Sequence, residues 1–202
     1  MLSAVLFDLD GTLIDYRANY ESFLRRVADS WDIHDSSDAF FAIYSRSIRA
    51  EGAVTFKRSV ESALVQTGRP MPTNLDELCS KAVADYAEGI QVREGAVELI
   101  GLFSGLPKTI VSNGPSDMQR AALEVSGLAP YFDQVLISGD EDVAVRKPDP
   151  AIFLLACSRL GVNPANTLMI GDNHEADIQG ARKAGLQAVH VSEIEKIKSL
   201  VC

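Results

Sequence analysis

The sequence predicts an α/β fold: a doubly wound, mostly parallel, five-stranded Rossmann-like sheet with an inserted α-helical cap. Three observations carry this. From about Val92 onward, short apolar runs alternate with helix-length segments, and strands alternating with helices require a mostly parallel sheet with right-handed crossovers. A further apolar run, Ala4 to Phe7, stands alone near the start and is of the kind a strand buried on both faces needs. Between the two, from Asp15 to about Glu88, the pattern is helical throughout. The expected organisation is a core of residues 1–14 and 92–202, with residues 15–91 inserted as a helical cap. A helical layer packed flat on the sheet is the competing arrangement.

Each element has its own signal. The first strand ends at Asp8, where Gly11 permits a sharp exit. Tyr20, Phe23, Leu24, Val27 and Trp31 recur at three- and four-residue spacing and make one amphipathic face. Phe40, Phe41, Ile43, Tyr44 and Ile48 mark a second helix. Phe56, Val60, Ala63 and Leu64 mark a third, ended by Gly68-Arg69-Pro70, and Leu75, Leu78, Ala82, Val83 and Tyr86 a fourth. The α/β alternation then resumes with a helix from Ala96 to Phe103 and a second strand at Thr109-Ile110-Val111. Ser116-Asp117-Met118-Gln119 has capping-box spacing and opens a helix running to Gly127. Val135-Leu136-Ile137 is the third strand, Pro150 to Leu160 a helix closed by Gly161, and Leu168-Met169-Ile170 the fourth strand. A helix from Ala176 to Ala184, closed by Gly185, a fifth strand from Ala188 to Val191 and a helix from about Glu193 complete the chain.

Composition narrows the function. The chain has 202 residues, 47% of them apolar, enough for a real core. Its net charge of -9 and pI of about 4.8 exclude nucleic acid as the expected partner, since a phosphate backbone calls for a basic surface. A small anionic substrate remains compatible, because one lysine and a metal can make a local positive site. No stretch approaches the ~20 apolar residues of a membrane span. Met1-Leu2-Ser3 carries no basic region, so no signal peptide is expected. Cys79, Cys157 and Cys202 form no C-x-x-C pair and point to free thiols in a reducing cytoplasm. His34, His174 and His190 lack metal spacing and are assigned surface or packing roles.

Asp8 and Asp10 stand two residues apart where the first strand ends. A strand extended that far would carry both on one face, and in open α/β sheets this edge is where ligands bind. Neighbouring carboxylates require an answer. A divalent cation can bridge them, because hard oxygen ligands suit Mg²⁺. One can stay protonated beside its ionised neighbour, giving an acid and a nucleophile or base. Or the pair is solvated in a turn. Ser112-Asn113-Gly114 follows the second strand, where a hydroxyl and turn N–H groups can cradle phosphate without added charge; alone, S-N-G-P is a good turn. Lys147 lies in Arg146-Lys147-Pro148-Asp149-Pro150 ahead of a helix, and alone would be a surface lysine with Arg146 as an exposed neighbour. Asp172 ends the fourth strand, and Asp177 follows five residues later. His174 and Glu175, between them, are assigned to a loop.

Asp8-Leu9-Asp10-Gly11-Thr12, Ser112-Asn113-Gly114, Lys147-Pro148 and Gly171-Asp172 with Asp177, in that order, resemble the motifs of the haloacid dehalogenase-like (HAD) hydrolase superfamily. The resemblance covers the whole length, although between Asp15 and Val92 it rests only on size and helical character. It implies a phosphatase in which Asp8 is the nucleophile and Asp10 the acid and base. Ser112 and its neighbours Asn113 and Gly114 would bind the phosphoryl group, and Lys147 would neutralise Asp8 and the phosphoryl oxygens. Mg²⁺ would be held by Asp8, the Asp10 main-chain carbonyl and Asp172, with Asp177 either binding metal or ordering the loop. Thr12 would brace the loop through its hydroxyl.

The expected function is therefore Mg²⁺-dependent hydrolysis of a small phosphomonoester, of nucleotide, sugar phosphate or phosphoglycolate class, through an aspartyl-phosphate. A haloacid dehalogenase uses the same nucleophile against carbon but needs neither leaving-group acid nor metal, so Asp10 favours the phosphatase. A phosphomutase would reuse the same residues. A phospho-accepting signalling or binding module would be shorter and lack the helical block. P-loop and EF-hand chemistry fail for want of their motifs. Arg17, Tyr20, Arg46 and Arg49 are the candidates for lining the cleft from the helical block.

Overall fold

The computed structural model describes residues 1–17, 19–31, 37–50 and 52–199. His34 and Cys202 lie outside the described residues. Five strands form the main sheet: β1 (Ala4–Phe7), β4 (Lys108–Ser112), β5 (Gln134–Ile137), β6 (Thr167–Gly171) and β7 (Gln187–His190). Their order is β5-β4-β1-β6-β7, and every neighbouring pair is parallel. β1 is therefore central, with Phe7 beside Ile110 on one side and Ile170 on the other.

Alternation along the strands assigns the two faces. Val5, Phe7, Ile110, Leu168 and Ile170 join one buried cluster with residues of α5 (Ala96–Gly101), α6 (Ser116–Ser126) and α9 (Ile194–Ser199). Leu6, Val111, Leu136, Met169 and Ala188 join the other, with residues of α7 (Pro150–Leu160) and α8 (Gly180–Lys183). Helices thus cover both faces, which is why these strands read as continuous apolar runs.

The helical block comprises α1 (Tyr20–Ser30), α2 (Ser37–Ser47), α3 (Phe56–Gln66) and α4 (Leu75–Glu88). Asn19 caps α1 by accepting from Glu21 N at 2.8 Å, and Thr55 caps α3 by accepting from Arg58 N at 3.1 Å. The block is framed by an antiparallel ribbon, β2 (Ile14–Tyr16) and β3 (Ile90–Val92), in register Ile14–Val92, Asp15–Gln91 and Tyr16–Ile90. Sequence reading misses this ribbon, because three residues are too few to show a period. The block's apolar face merges with the first core cluster: Phe23, Tyr44, Phe56 and Tyr86 are buried in it with Met118 and Ala122 of α6. The Asp117 carboxylate accepts from Phe56 N at 2.8 Å, binding α3 to α6.

Two local expectations are corrected. Ser116 is not a capping-box residue: Pro115 occupies the N-cap without a side-chain bond, and Gln119 turns elsewhere, as described below. The helix expected from Ala176 begins at His174 as a π-helical segment, His174–Gln179, so His174 and Glu175 are helical and not in a loop. Cys79 and Cys157 are buried and free. Among the described residues no helix is long and apolar enough to cross a membrane.

The central sheet should dominate stability. Phe7 meets Phe103 and Phe132 edge-on, with centroids 6.0 and 5.7 Å away. Phe7→Ala should cost about 3–5 kcal/mol in denaturant unfolding. Arg93→Ala removes the partly exposed ion pair to Asp15 and should cost less than about 1 kcal/mol. Equal losses would show that the ribbon, not the sheet, limits stability.

Candidate active site

The C-terminal ends of β1, β4 and β6 and the loop before α7 converge. Asp8 extends β1 by one ladder bond, its N–H donating to Ile170 O at 2.9 Å. The chain then folds back on Leu9, whose carbonyl accepts from Leu13 N at 2.8 Å and Ile14 N at 3.0 Å. Gly11 sits in this turn at φ 78°, and a Cβ there would collide with the Asp172 carboxylate. The turn brings Thr12 back to Asp8, its hydroxyl donating to Oδ2 at 3.1 Å.

Lys147 supplies the opposite charge. Its ammonium donates to Asp8 Oδ1 at 2.5 Å and meets Asp177 Oδ1 at 2.7 Å, and the residue is 3% exposed. The K-P-D-P sequence explains how it is held. Asp149 is the N-cap of α7, accepting from Ala151 N at 2.8 Å, and Pro150 opens the helix, so α7 begins three residues after Lys147. Asn113 clamps the lysine's own backbone: Nδ2 donates to Lys147 O at 2.8 Å, and Lys147 N donates to Oδ1 at 2.9 Å. The Asn113 side chain thus positions the lysine, a use its motif does not disclose. Gly114 N donates to Ser138 Oγ at 3.0 Å. Ser112 Oγ is fully buried and has no hydrogen-bond partner among the described residues.

Asp177 reaches Lys147 because the helix after β6 starts wide. Asn173 caps the π-helical segment, accepting from Ala176 N at 2.9 Å, while its own N–H donates to Asp177 Oδ2 at 2.9 Å. Gly171 leaves room for this, since a Cβ there would collide with the Asp177 carboxylate. Asp172 lies at the exposed edge, and its main-chain carbonyl meets His190 Nε2 at 2.7 Å. His190 therefore braces this loop, which its spacing gave no reason to expect.

Asp8, Asp172 and Asp177 each offer a carboxylate oxygen within 4.8 Å of the others. The Asp10 carboxyl is not in this group. It accepts from Gln119 Nε2 at 2.9 Å instead, across the cleft from α6. Burial raises the Asp8 pKa, and the Lys147 charge only partly offsets it. Burial likewise raises Asp10, against the lowering effect of Gln119, and raises Asp172, with the Asp177 charge adding to it. For Lys147, burial lowers the pKa, but Asp8 and Asp177 more than compensate and hold it above its ordinary value. One ammonium thus faces three clustered carboxylates. That surplus of hard oxygen donors fits a divalent cation such as Mg²⁺.

Of the helical-block candidates, Tyr20 and Arg49 line a cavity of about 280 Å³ that opens on Asp10; Arg17 and Arg46 do not. Tyr86 and Gln119 line it too, as does Arg146, which is half-buried and not an exposed neighbour. Tyr86 and Gln119 were legible only as an apolar helix position and a cap.

The charge imbalance predicts opposite signs for two substitutions in metal-free protein. Lys147→Met strands Asp8 and Asp177 and should cost about 3–5 kcal/mol near neutral pH. Asp172→Asn relieves repulsion and should raise the midpoint of thermal unfolding. Thermal melts in chelator decide this, and a stabilising Lys147→Met would refute the ion-pair account.

Known proteins resemble this chain in sequence and in fold. A family model of haloacid dehalogenase-like hydrolases matches residues 2–185. Ribulose-1,5-bisphosphate 5-phosphatase of Halopiger xanaduensis is 32% identical over 206 residues, covering 94% of this chain and 84% of that protein. Phosphoserine phosphatase of Thermus thermophilus is 46% identical over 87 residues, but the match spans only 43% of this chain and 34% of that protein. Among solved structures, the HAD-hydrolase YfnB of Bacillus subtilis, described as bound to magnesium, superposes with a TM-score of 0.70 at 26% identity over 99% of this chain and 98% of that one. The chain belongs to the haloacid dehalogenase-like hydrolases.

Proposed function

We propose that the protein is a Mg²⁺-dependent phosphatase acting on a small phosphomonoester, and that α1–α4 form a cap over its active site. The observation carrying this is the pinned Asp8: one oxygen is held by Lys147 and the other by Thr12, beside a second carboxylate, Asp10, held separately by Gln119. Two carboxylates in different settings suit two different roles. The names of the relatives, phosphatases of small metabolites, support the same reading.

In this mechanism an Asp8 oxygen attacks phosphorus and the ester P–O bond breaks, leaving an aspartyl-phosphate. Asp10, its pKa raised by burial, gives a proton to the departing alkoxide. As a carboxylate, it then takes a proton from water as that water attacks phosphorus, releasing inorganic phosphate and free Asp8. Lys147 opposes the effect of burial on Asp8 and balances charge on the phosphoryl oxygens. The unpartnered Ser112 hydroxyl donates to one of those oxygens, which answers its buried donor. Asp8, Asp172 and the Asp10 main-chain carbonyl would hold Mg²⁺, with Asp177 committed mainly to Lys147 and Asn173. When bound, the ion would supply positive charge that neutralises the phosphoryl oxygens.

The test uses two leaving groups with excess Mg²⁺ or excess chelator. Chelation should abolish hydrolysis, and Mg²⁺ should restore it. Asp10→Asn should still show a burst of phenolate from an aryl phosphate, which needs little protonation, followed by slow turnover. It should show no burst with an alkyl phosphate. Full activity in chelator would contradict the metal assignment. Equal, burst-free losses on both esters would leave Asp10 a structural residue.

A further inference from the structure

The cavity beside Asp10 has a charge pattern that phosphoryl transfer does not use. Arg49 and Arg146 both line it, from different elements. Arg49 lies in the turn after α2, and Arg146 precedes Lys147 in the loop before α7. The chain carries a net charge of -9, yet the one carboxylate among the described lining residues is Asp10, which already accepts from Gln119. Among the described residues the Arg146 side chain makes one hydrogen bond, from Nη1 to Ile48 O at 3.0 Å. A guanidinium has five N–H donors, so most of its donors remain for the cavity. Arg49 makes no ion pair with a described residue. Two guanidinium groups held near each other repel, and the Arg49 charge adds to burial in lowering the Arg146 pKa.

The placement of this pair is built into the fold. The Arg146 bond goes to the carbonyl directly preceding Arg49. Gly52 N donates to Ala144 O at 3.2 Å, and Val54 N donates to Gly139 O at 3.0 Å. Ala144 takes φ 50° to present that carbonyl, a conformation costing a non-glycine residue on the order of 1 kcal/mol. Three backbone-directed bonds therefore stitch the turn carrying Arg49 to the loop carrying Arg146. Tyr20, Tyr86 and Asn113 complete the polar lining, and the volume of about 280 Å³ restricts the occupant to a small molecule.

We infer that Arg49 and Arg146 form a second anion site beside the phosphoryl site, so that the substrate is a small phosphomonoester bearing a further carboxylate or phosphate group. The assignment rests on the phosphatase reading above. Guanidinium groups recognise both anions through the same planar donor geometry, so the two sources are separated by experiment.

The test compares kcat/KM within matched pairs, in excess Mg²⁺. 3-Phosphoglycerate against glycerol 3-phosphate probes a carboxylate, and fructose 1,6-bisphosphate against fructose 6-phosphate probes a second phosphate. p-Nitrophenyl phosphate serves as the control for phosphatase chemistry itself. The wild-type protein should prefer the more anionic member of at least one pair by at least about 10-fold, and Arg49→Met with Arg146→Met should reduce that ratio by about 10- to 100-fold, mainly through KM. Single variants Arg49→Met and Arg146→Lys, if the double variant does not fold, should each reduce the ratio in the same sense. Absence of preference in both pairs, or equal losses on both members of a pair, would overturn the second anion site while leaving the phosphatase reading intact. No turnover of p-nitrophenyl phosphate or any other ester would overturn that reading and this inference with it.

Discussion

The Lys147 ammonium, buried between Asp8 and Asp177, is the interaction on which the site depends. Removing a cation and two carboxylates from water is costly, and the cost is met only when each charge has well-placed partners. The surrounding sequence supplies them. Thr12 and Ile170 fix Asp8, Asn173 fixes Asp177, and Asn113 grips the Lys147 backbone from both sides. Gly11 and Gly171 are required where Asp172 and Asp177 pass, because no side chain fits at either place. The site is thus a set of charges placed by backbone turns at one sheet edge, and its surplus of carboxylate makes it receptive to a cation.

The helical block is coupled to this centre by polar and apolar contacts alike. Tyr20 and Tyr44 share a hydrogen bond of 2.7 Å, and Tyr20 also donates to Met118 Sδ at 3.6 Å. Burial raises the pKa of Tyr20, Tyr44 and Tyr86, which keeps these phenols neutral. α6 mediates much of the coupling. Its Asp117 receives the first turn of α3, its Met118 meets the tyrosines, and its Gln119 holds Asp10. Three consecutive residues therefore link the helical block, the cavity and the acid–base candidate.

The sheet was legible because each strand is buried on both faces and reads as an apolar run, and the helices because their apolar residues keep a three- to four-residue period. Asp8 and Asp172 were legible from their places at strand ends, whereas Lys147 and Asp177 joined them only through the resemblance of their motifs to those of the family. The rest was hidden for physical reasons. Ribbon strands of three residues carry no period. Gln119 has the spacing of a capping residue, yet Pro115 takes the cap, and the freed amide crosses the cleft to Asp10. The π-helical start after β6 turns on the bonds between Asn173 and Asp177, which no periodicity records. Arg146 lines the cavity with its side chain bonded to the Ile48 carbonyl, 98 residues away in sequence, a contact no local pattern records.

The central claim is that Asp8, pinned by Lys147, carries the phosphoryl group. Acid quenching of the protein during steady-state turnover, followed by peptide mass measurement, addresses this directly. The account predicts one added phosphoryl group on the peptide containing Asp8, and none in Asp8→Asn protein. Turnover with no modified Asp8 peptide, or with the group on another residue, would contradict it.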